Sequence, residues 1–231
     1  MRALIVQPDP TETPGLVGRA LGRRGFALDT FVIQDDPDRP AGRVEHPDPS
    51  RYDLIVVMGS PWSVFDEAVS DWVTPLLGML TTAVDQGRAV LGICFGGQAL
   101  AAALGGSVTR AEGVEFGWHR VHSDIDEVAG VWFQWHHDIV TVPPCATRVA
   151  WNTFGPQAFV AGRAAGVQFH PEVDAALLES WLVGGVDDEV AAAGGSADAV
   201  VAHARTHPHR TEGLVDWFLG TVAGSLRPAA G

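Results

Sequence analysis

Lysine is absent from this chain of 231 residues, and all 15 basic side chains are arginine. Schiff-base chemistry on a lysine amine is therefore excluded. Basic charge is scarce as well: 28 acidic residues leave a formal net charge of −13. Nucleic-acid backbones are held by basic patches, so this charge argues against phosphate-backbone binding as a main activity. No apolar run reaches the roughly 18 to 20 residues needed to span a bilayer. The first residues, Met1 to Gln7, turn polar too soon for a signal peptide and read as a strand. We expect a soluble, cytoplasmic protein with neither nucleic acid nor membrane as a partner. Cysteine is also sparse. Cys94 and Cys145 make no disulfide framework, and in the cytoplasm both are expected reduced. Cys145, placed after Pro143-Pro144, reads as an ordinary loop thiol.

What is present organises into one α/β unit over residues 1–231, with a core at about 2–185 and C-terminal helices at about 187–223. Strands are expected at 2–7, 27–33, 53–58 and 89–93, and helices near 14–25, 69–86 and from Cys94 to about Leu104. The polar stretch 34–51, rich in Pro and Asp, reads as a loop. This alternation implies a mostly parallel central sheet wrapped by helices, with the active site at the carboxyl ends of its strands. Short strand-like pieces follow at 114–122, 131–135, 139–142, 147–151, 157–161 and 165–169, as antiparallel additions to that sheet. Helical patterns return at about 174–184, 187–205 and 211–223, and residues 227–231 read as a frayed tail.

The chemistry concentrates in two segments. Residues 88–100 run from an apolar strand into Cys94, flanked by Gly92 and Gly96, and then into a helix. A sharp strand-to-helix turn of this kind presents one reactive side chain at the top of a sheet. The helix N-terminus behind the sulfur favours thiolate. A nucleophile also needs a base and a group that orients the base. The segment Gly166-Val-Gln-Phe-His-Pro-Glu172 supplies both, because a strand would deliver His170 to the edge from which Cys94 emerges, with Glu172 two residues on.

Gly92-Ile-Cys94-Phe-Gly96-Gly97-Gln98 resembles the Gly-x-Cys-x-Gly-x-Gln nucleophile motif of class I, triad-type glutamine amidotransferases. His170-Pro171-Glu172 resembles their His-Pro-Glu motif. The similarity runs over about residues 2–185 and is closest to stand-alone members akin to the glutaminase domain of GMP synthetase. It implies a flavodoxin-like architecture and hydrolysis of the glutamine side-chain amide through a γ-glutamyl thioester on Cys94. His170 would act as base and Glu172 as its orienting carboxylate, with a synthetase subunit as a possible recipient of the ammonia.

The backbone N–H of Phe95, and one from the loop Gly59-Ser60-Pro61, would hold the oxyanion; Ser60 stands where the family has a second glycine. Gln98, Gly59, Glu115, Trp118 and His136 would border the substrate. The stretches carrying the last three are Glu115-Phe-Gly-Trp118, which resembles the family's Glu-Ile-Gly-Trp, and Trp135-His-His-Asp138, which resembles Trp-His-Gly-Asp. No cofactor or metal is implied. His136, His137 and Asp138 form one cluster and His203, His207 and His209 another, but no cysteine or carboxylate completes the second, and neither is read as a metal site. Gly184-Gly-Val-Asp187 resembles a synthetase pyrophosphate loop, but it lacks the flanking serines and reads as a helix terminator.

Two other readings fit the same residues. One is a γ-glutamyl peptidase or hydrolase acting on γ-glutamyl conjugates. The other is a non-catalytic regulatory module of the same fold.

Overall fold

The computed structural model describes residues 1–183, 190–191, 194–207, 209–224 and 226. Strands β1 (Arg2–Gln7), β2 (Ala27–Val32), β3 (Leu54–Val57) and β4 (Ala89–Ile93) alternate with helices α1 (Gly15–Arg23) and α2 (Ser70–Asp85); α3 (Phe95–Ala103) follows β4. Strands β5 (Ser107–Ser123), β6 (Gly130–Thr141), β7 (Thr147–Trp151), β8 (Pro156–Ala161) and β9 (Ala164–Val167) come next. Three helices close the described chain: α4 (Ala175–Trp181), α5 (Ala197–Thr206) and α6 (Thr211–Trp217). The last runs into a π-helical turn, Phe218–Val222.

The nine strands form one sheet in the order β2-β1-β3-β4-β9-β8-β7-β5-β6. Pairings from β2 through β1, β3 and β4 to β9 are parallel, and those from β9 outward through β8, β7, β5 and β6 are antiparallel. Burial explains the parallel half. Every residue of β3, β4 and β9 is buried, as expected of strands covered by helices on both faces, and their sequences are correspondingly apolar throughout. One face packs on α1, α6 and the π-helical turn, around Val17, Leu21, Leu214 and Phe218. The other packs on α2 and α3, around Trp72, Leu76, Leu80 and Leu100. A third cluster seats α4 and α5 on the β5–β6 hairpin, through Phe116, Phe133, Leu178 and Val200.

The expected architecture is therefore observed, with differences in the antiparallel half. The pieces expected at 131–135 and 139–142 are one strand, β6. Its buried positions include Gln134, His136 and Asp138 as well as Phe133 and Val140, so polar side chains interrupt the apolar pattern without breaking the strand. β5 begins seven residues before the expected 114, with a register shift between Arg110 and Glu115 that hides its periodicity. The expected 187–205 helix is interrupted: Gly194 takes φ +69°, and the Ser196 hydroxyl then accepts from Ala199 N–H at 3.3 Å to start α5. The 184–187 turn and the tail at 227–231 lie outside the described residues.

Candidate active site

Cys94 is the one non-glycine at positive φ among the described residues, at φ 50° and ψ −111°. Such a backbone costs about 1–3 kcal/mol and persists only where its surroundings dictate it. Here the surroundings are the two neighbouring strands. Cys94 N–H donates to Val167 O of β9 at 2.8 Å, and Gly96 N–H donates to Met58 O just past β3 at 3.1 Å. A Cβ on Gly96 would lie 2.1 Å from Val57 O, and one on Gly92 would lie 2.4 Å from Gly96 O. Only glycine lets the turn pass this close to its neighbours.

The segment after β9 brings His170 to the same edge. Its N–H donates to Phe133 O of β6 at 2.9 Å, and its ring meets that of Trp181 edge-on at 5.2 Å. Nδ1 of His170 bonds Glu172 Oε1 at 2.7 Å, with both side chains buried. The backbone around the pair is fastened from two sides. Leu16 N–H of α1 donates to Glu172 O at 2.7 Å, and the Thr211 hydroxyl at the start of α6 donates to Pro171 O at 2.6 Å. Burial pulls the imidazole pKa down, but Glu172 and the Cys94 sulfur outweigh it and hold His170 well above its ordinary value. Nε2 of His170 is buried and has no hydrogen-bond partner among the described residues. It thus remains a free proton acceptor or donor.

The thiol has its own contacts. Cys94 Sγ lies 3.8 Å from Trp135 O of β6 and accepts from Gln168 Nε2 at 3.7 Å. Gln98 Nε2 donates to Gln168 Oε1 at 3.3 Å. Gln98 therefore reaches the sulfur through Gln168, which the sequence reading passed over. The signal was available: Gln168 and His170 are two apart at a strand end, where alternate side chains share a face.

The loop after β3 completes this edge. The N–H groups of Ser60 and of Phe95, the first residue of α3, make no hydrogen bond among the described residues. Ser60 takes its place through its hydroxyl, which accepts from Trp62 N–H at 3.2 Å. Further along, Ser63 Oγ donates to the buried Asp138 at 2.5 Å, and Arg110 reaches both Ser63 Oγ at 3.0 Å and Asp138 at 3.3 Å. Asp138 thus ties the loop to β6.

The remaining expected residues are placed differently. Glu115 and His136 bond each other at 2.9 Å, and Glu115 also accepts from Asn152 and Gln157. The other imidazole nitrogen of His136 bonds Asp138 O at 3.0 Å. Their side chains are thus committed to a buried network joining β5, β6 and β8. Trp118 turns toward α5, donating to Val200 O at 3.0 Å and stacking on His203. Gly59 is buried, and a Cβ there would lie 3.3 Å from His170 Cε1 and 2.7 Å from Glu12 Oε2. Glu12 was not foreseen. It sits after the carboxyl end of β1, the same sheet edge as Cys94, where any titratable loop residue is a candidate.

Among the described residues no three His, Cys, Asp or Glu side chains gather in a metal-holding group, and no helix is long and apolar enough to cross a membrane.

The family model for glutamine amidotransferase class-I matches residues 16–180. GMP synthase [glutamine-hydrolyzing] of Thermus thermophilus is 36% identical over 167 residues, covering 67% of this chain and 31% of that protein. The protein of the same description from Mycobacterium tuberculosis is 39% identical over 130 residues, covering 52% of this chain and 23% of the relative. The chain thus matches less than a third of the length of these relatives. A solved glutamine amidotransferase from Thermotoga maritima superposes with TM-score 0.82 at 27% identity, covering 97% of this chain and 99% of that one. A glutamine amido transferase from Methylobacillus flagellatus shares the fold at TM-score 0.79 and 22% identity, over 99% and 97% of the two chains. The motifs, the fold and the family match over residues 16–180 converge: this chain belongs to the class-I glutamine amidotransferase family.

Proposed function

We propose that the protein hydrolyses the side-chain amide of glutamine, using Cys94 as nucleophile, His170 as acid and base, and Glu172 to hold the imidazole. The observation that carries this reading is the strained Cys94 turn beside a buried His170–Glu172 pair whose free nitrogen is Nε2. His170 takes the thiol proton as the sulfur attacks the amide carbon, forming the C–S bond of a tetrahedral intermediate. That intermediate collapses with cleavage of the C–N bond, and the imidazolium returns the proton to the departing ammonia. Water, deprotonated by His170, then attacks the thioester, releases glutamate and restores the thiol. The unbonded N–H groups of Phe95 and Ser60 are suited to the oxyanion, and a donor of this kind is worth about 3–4 kcal/mol in the transition state. Gln98, through Gln168, keeps the sulfur aligned. Gly59, and the backbone near Glu115, Trp118 and His136, border the substrate.

We extend the proposal to the product. The named relatives are GMP synthases in which the matched stretch is a minor part, and on this reading ammonia passes to a synthetase subunit. The test is release of ammonia and glutamate from glutamine by the purified protein, beside Cys94→Ala. Equal turnover by the two proteins would overturn the assignment.

A further inference from the structure

A second carboxyl lies against the catalytic imidazole, in a loop that the proposed mechanism leaves unused. The loop between β1 and α1 runs Pro8-Asp9-Pro10-Thr11-Glu12-Thr13-Pro14. Its first turn is closed by Asp9, fully buried, whose Oδ1 accepts from Thr11 N–H at 2.8 Å and from the Thr11 hydroxyl. The indole N–H of Trp181 donates to Thr11 O at 3.2 Å, and the same ring packs on His170. At the far end, a Cβ on Gly15 would lie 2.2 Å from Glu172 O, so the chain passes directly over the His170-Pro171-Glu172 backbone. The loop is therefore fixed to the segment that carries the base.

This placement carries Glu12 inward. Its Oε2 is buried and has no hydrogen-bond partner among the described residues. The point where a Cβ of Gly59 would stand is 2.7 Å from Glu12 Oε2 and 3.3 Å from His170 Cε1. Both groups touch one point, so they lie no more than about 6 Å apart. Glycine at position 59 is what leaves room for them to meet.

We propose that Glu12 is a positioning residue for the hydrolytic site, acting on the charge of His170 from its Cε1 edge while Glu172 acts at Nδ1. The proposal rests on the function assigned above and deepens it. The titratable groups facing Glu12 are Asp9 of its own loop and His170 and Glu172 beyond β9; those facing His170 include Cys94 from the β4–α3 turn. Burial is the largest influence on the Glu12 carboxyl and pushes its pKa up; His170 opposes this, Asp9 and Glu172 add to it, and the result is about 8. At neutral pH the group is thus an uncharged acid. Above that range it ionises, and its new charge favours the imidazolium. By linkage, the thiolate–imidazolium pair survives to higher pH than Glu172 alone would allow. At an effective dielectric of about 20, a charge about 6 Å away shifts the imidazole by roughly one to two pH units.

The experiment is a pH titration of protein labelled with ¹⁵N-histidine, as wild type and as Glu12→Gln, with the His170 signals identified from His170→Gln. In the wild type the His170 signals should show a step near pH 8 that reports Glu12, beside the titration of the imidazole itself. In Glu12→Gln the step near pH 8 should be missing and the imidazole titration should lie lower by about one pH unit or more, with the alkaline limb of kcat/KM moving down with it. A His170 titration that is the same in both proteins overturns the proposal, as does a wild-type curve with no step near pH 8. The wild-type curve decides even where the variant does not fold. Absence of glutamine hydrolysis by the wild type would remove the proposed function and leave the His170 titration to judge Glu12 separately.

Discussion

Glu172 Oε1 holds His170 Nδ1 at 2.7 Å in a site where neither side chain is open to solvent. The bond fixes the ring so that Nε2 is the nitrogen left open, and under the proposed mechanism a buried carboxylate would stabilise the imidazolium formed during turnover. Glu172→Gln keeps the shape and removes the charge. We predict a fall in kcat of about 10³ to 10⁴-fold with far-UV circular dichroism unchanged. A fall of less than tenfold would show that the imidazole does not depend on this partner.

The turn at Cys94 depends on two backbones meeting without side chains between them. Gly96→Ala would place a methyl group 2.1 Å from Val57 O, and that oxygen belongs to a central strand that cannot yield cheaply. The expected cost is about 3 kcal/mol, at the upper end for overpacking. Urea unfolding of the variant measures it; wild-type stability would mean that the turn relaxes.

The same carboxyl that faces His170 makes stability depend on pH. Glu12 has an ordinary value of 4.5 in the unfolded chain and about 8 in the folded one, raised mainly by burial. Between those values the folded state retains a proton that the unfolded state has lost, so the contribution of Glu12 to stability falls as pH rises from 4.5 to about 8 and is level above. Glu12→Gln removes this dependence. The variant should be more stable than the wild type at pH 8 by roughly 3–5 kcal/mol, with a much smaller difference at about pH 5. Parallel unfolding curves at the two pH values would contradict the assignment.

Asp138 reaches the site through the loop it holds. It accepts from Ser63 and pairs with Arg110, fixing the chain that follows Ser60. Asp138→Asn weakens charge-assisted bonds worth about 1.5–3 kcal/mol each. If Ser60 N–H serves the oxyanion, kcat should fall about tenfold or more while KM changes little. A change confined to KM would place Asp138 in binding.

These expectations also show which parts of the site were legible in the sequence. The Cys94 turn was readable because Gly92 and Gly96 bracket Cys94 after an unbroken apolar strand, a local signal with a steric cause. His170 was readable because an apolar strand, β9, ends three residues before it and carries it to the edge where Cys94 emerges. Side-chain direction was not. Trp118 follows Gly117, which takes φ +106°, and its indole turns to α5 instead of the thiol. Glu115 and His136 find partners contributed by β7–β8 and by each other, which no local pattern announces. Glu12 was hidden for a related reason. Its loop is polar and rich in proline, and only packing of that loop on Glu172 and Trp181 buries the carboxyl.

The most direct measurement is release of ammonia and glutamate from glutamine by wild type and by Cys94→Ala, whose small side chain keeps the turn and removes the sulfur. The account predicts steady release by the wild type, none above background by the variant, and trapping of a glutamyl adduct on Cys94 by mass spectrometry after acid quench. Undiminished release by Cys94→Ala, or an adduct on a different residue, would contradict it.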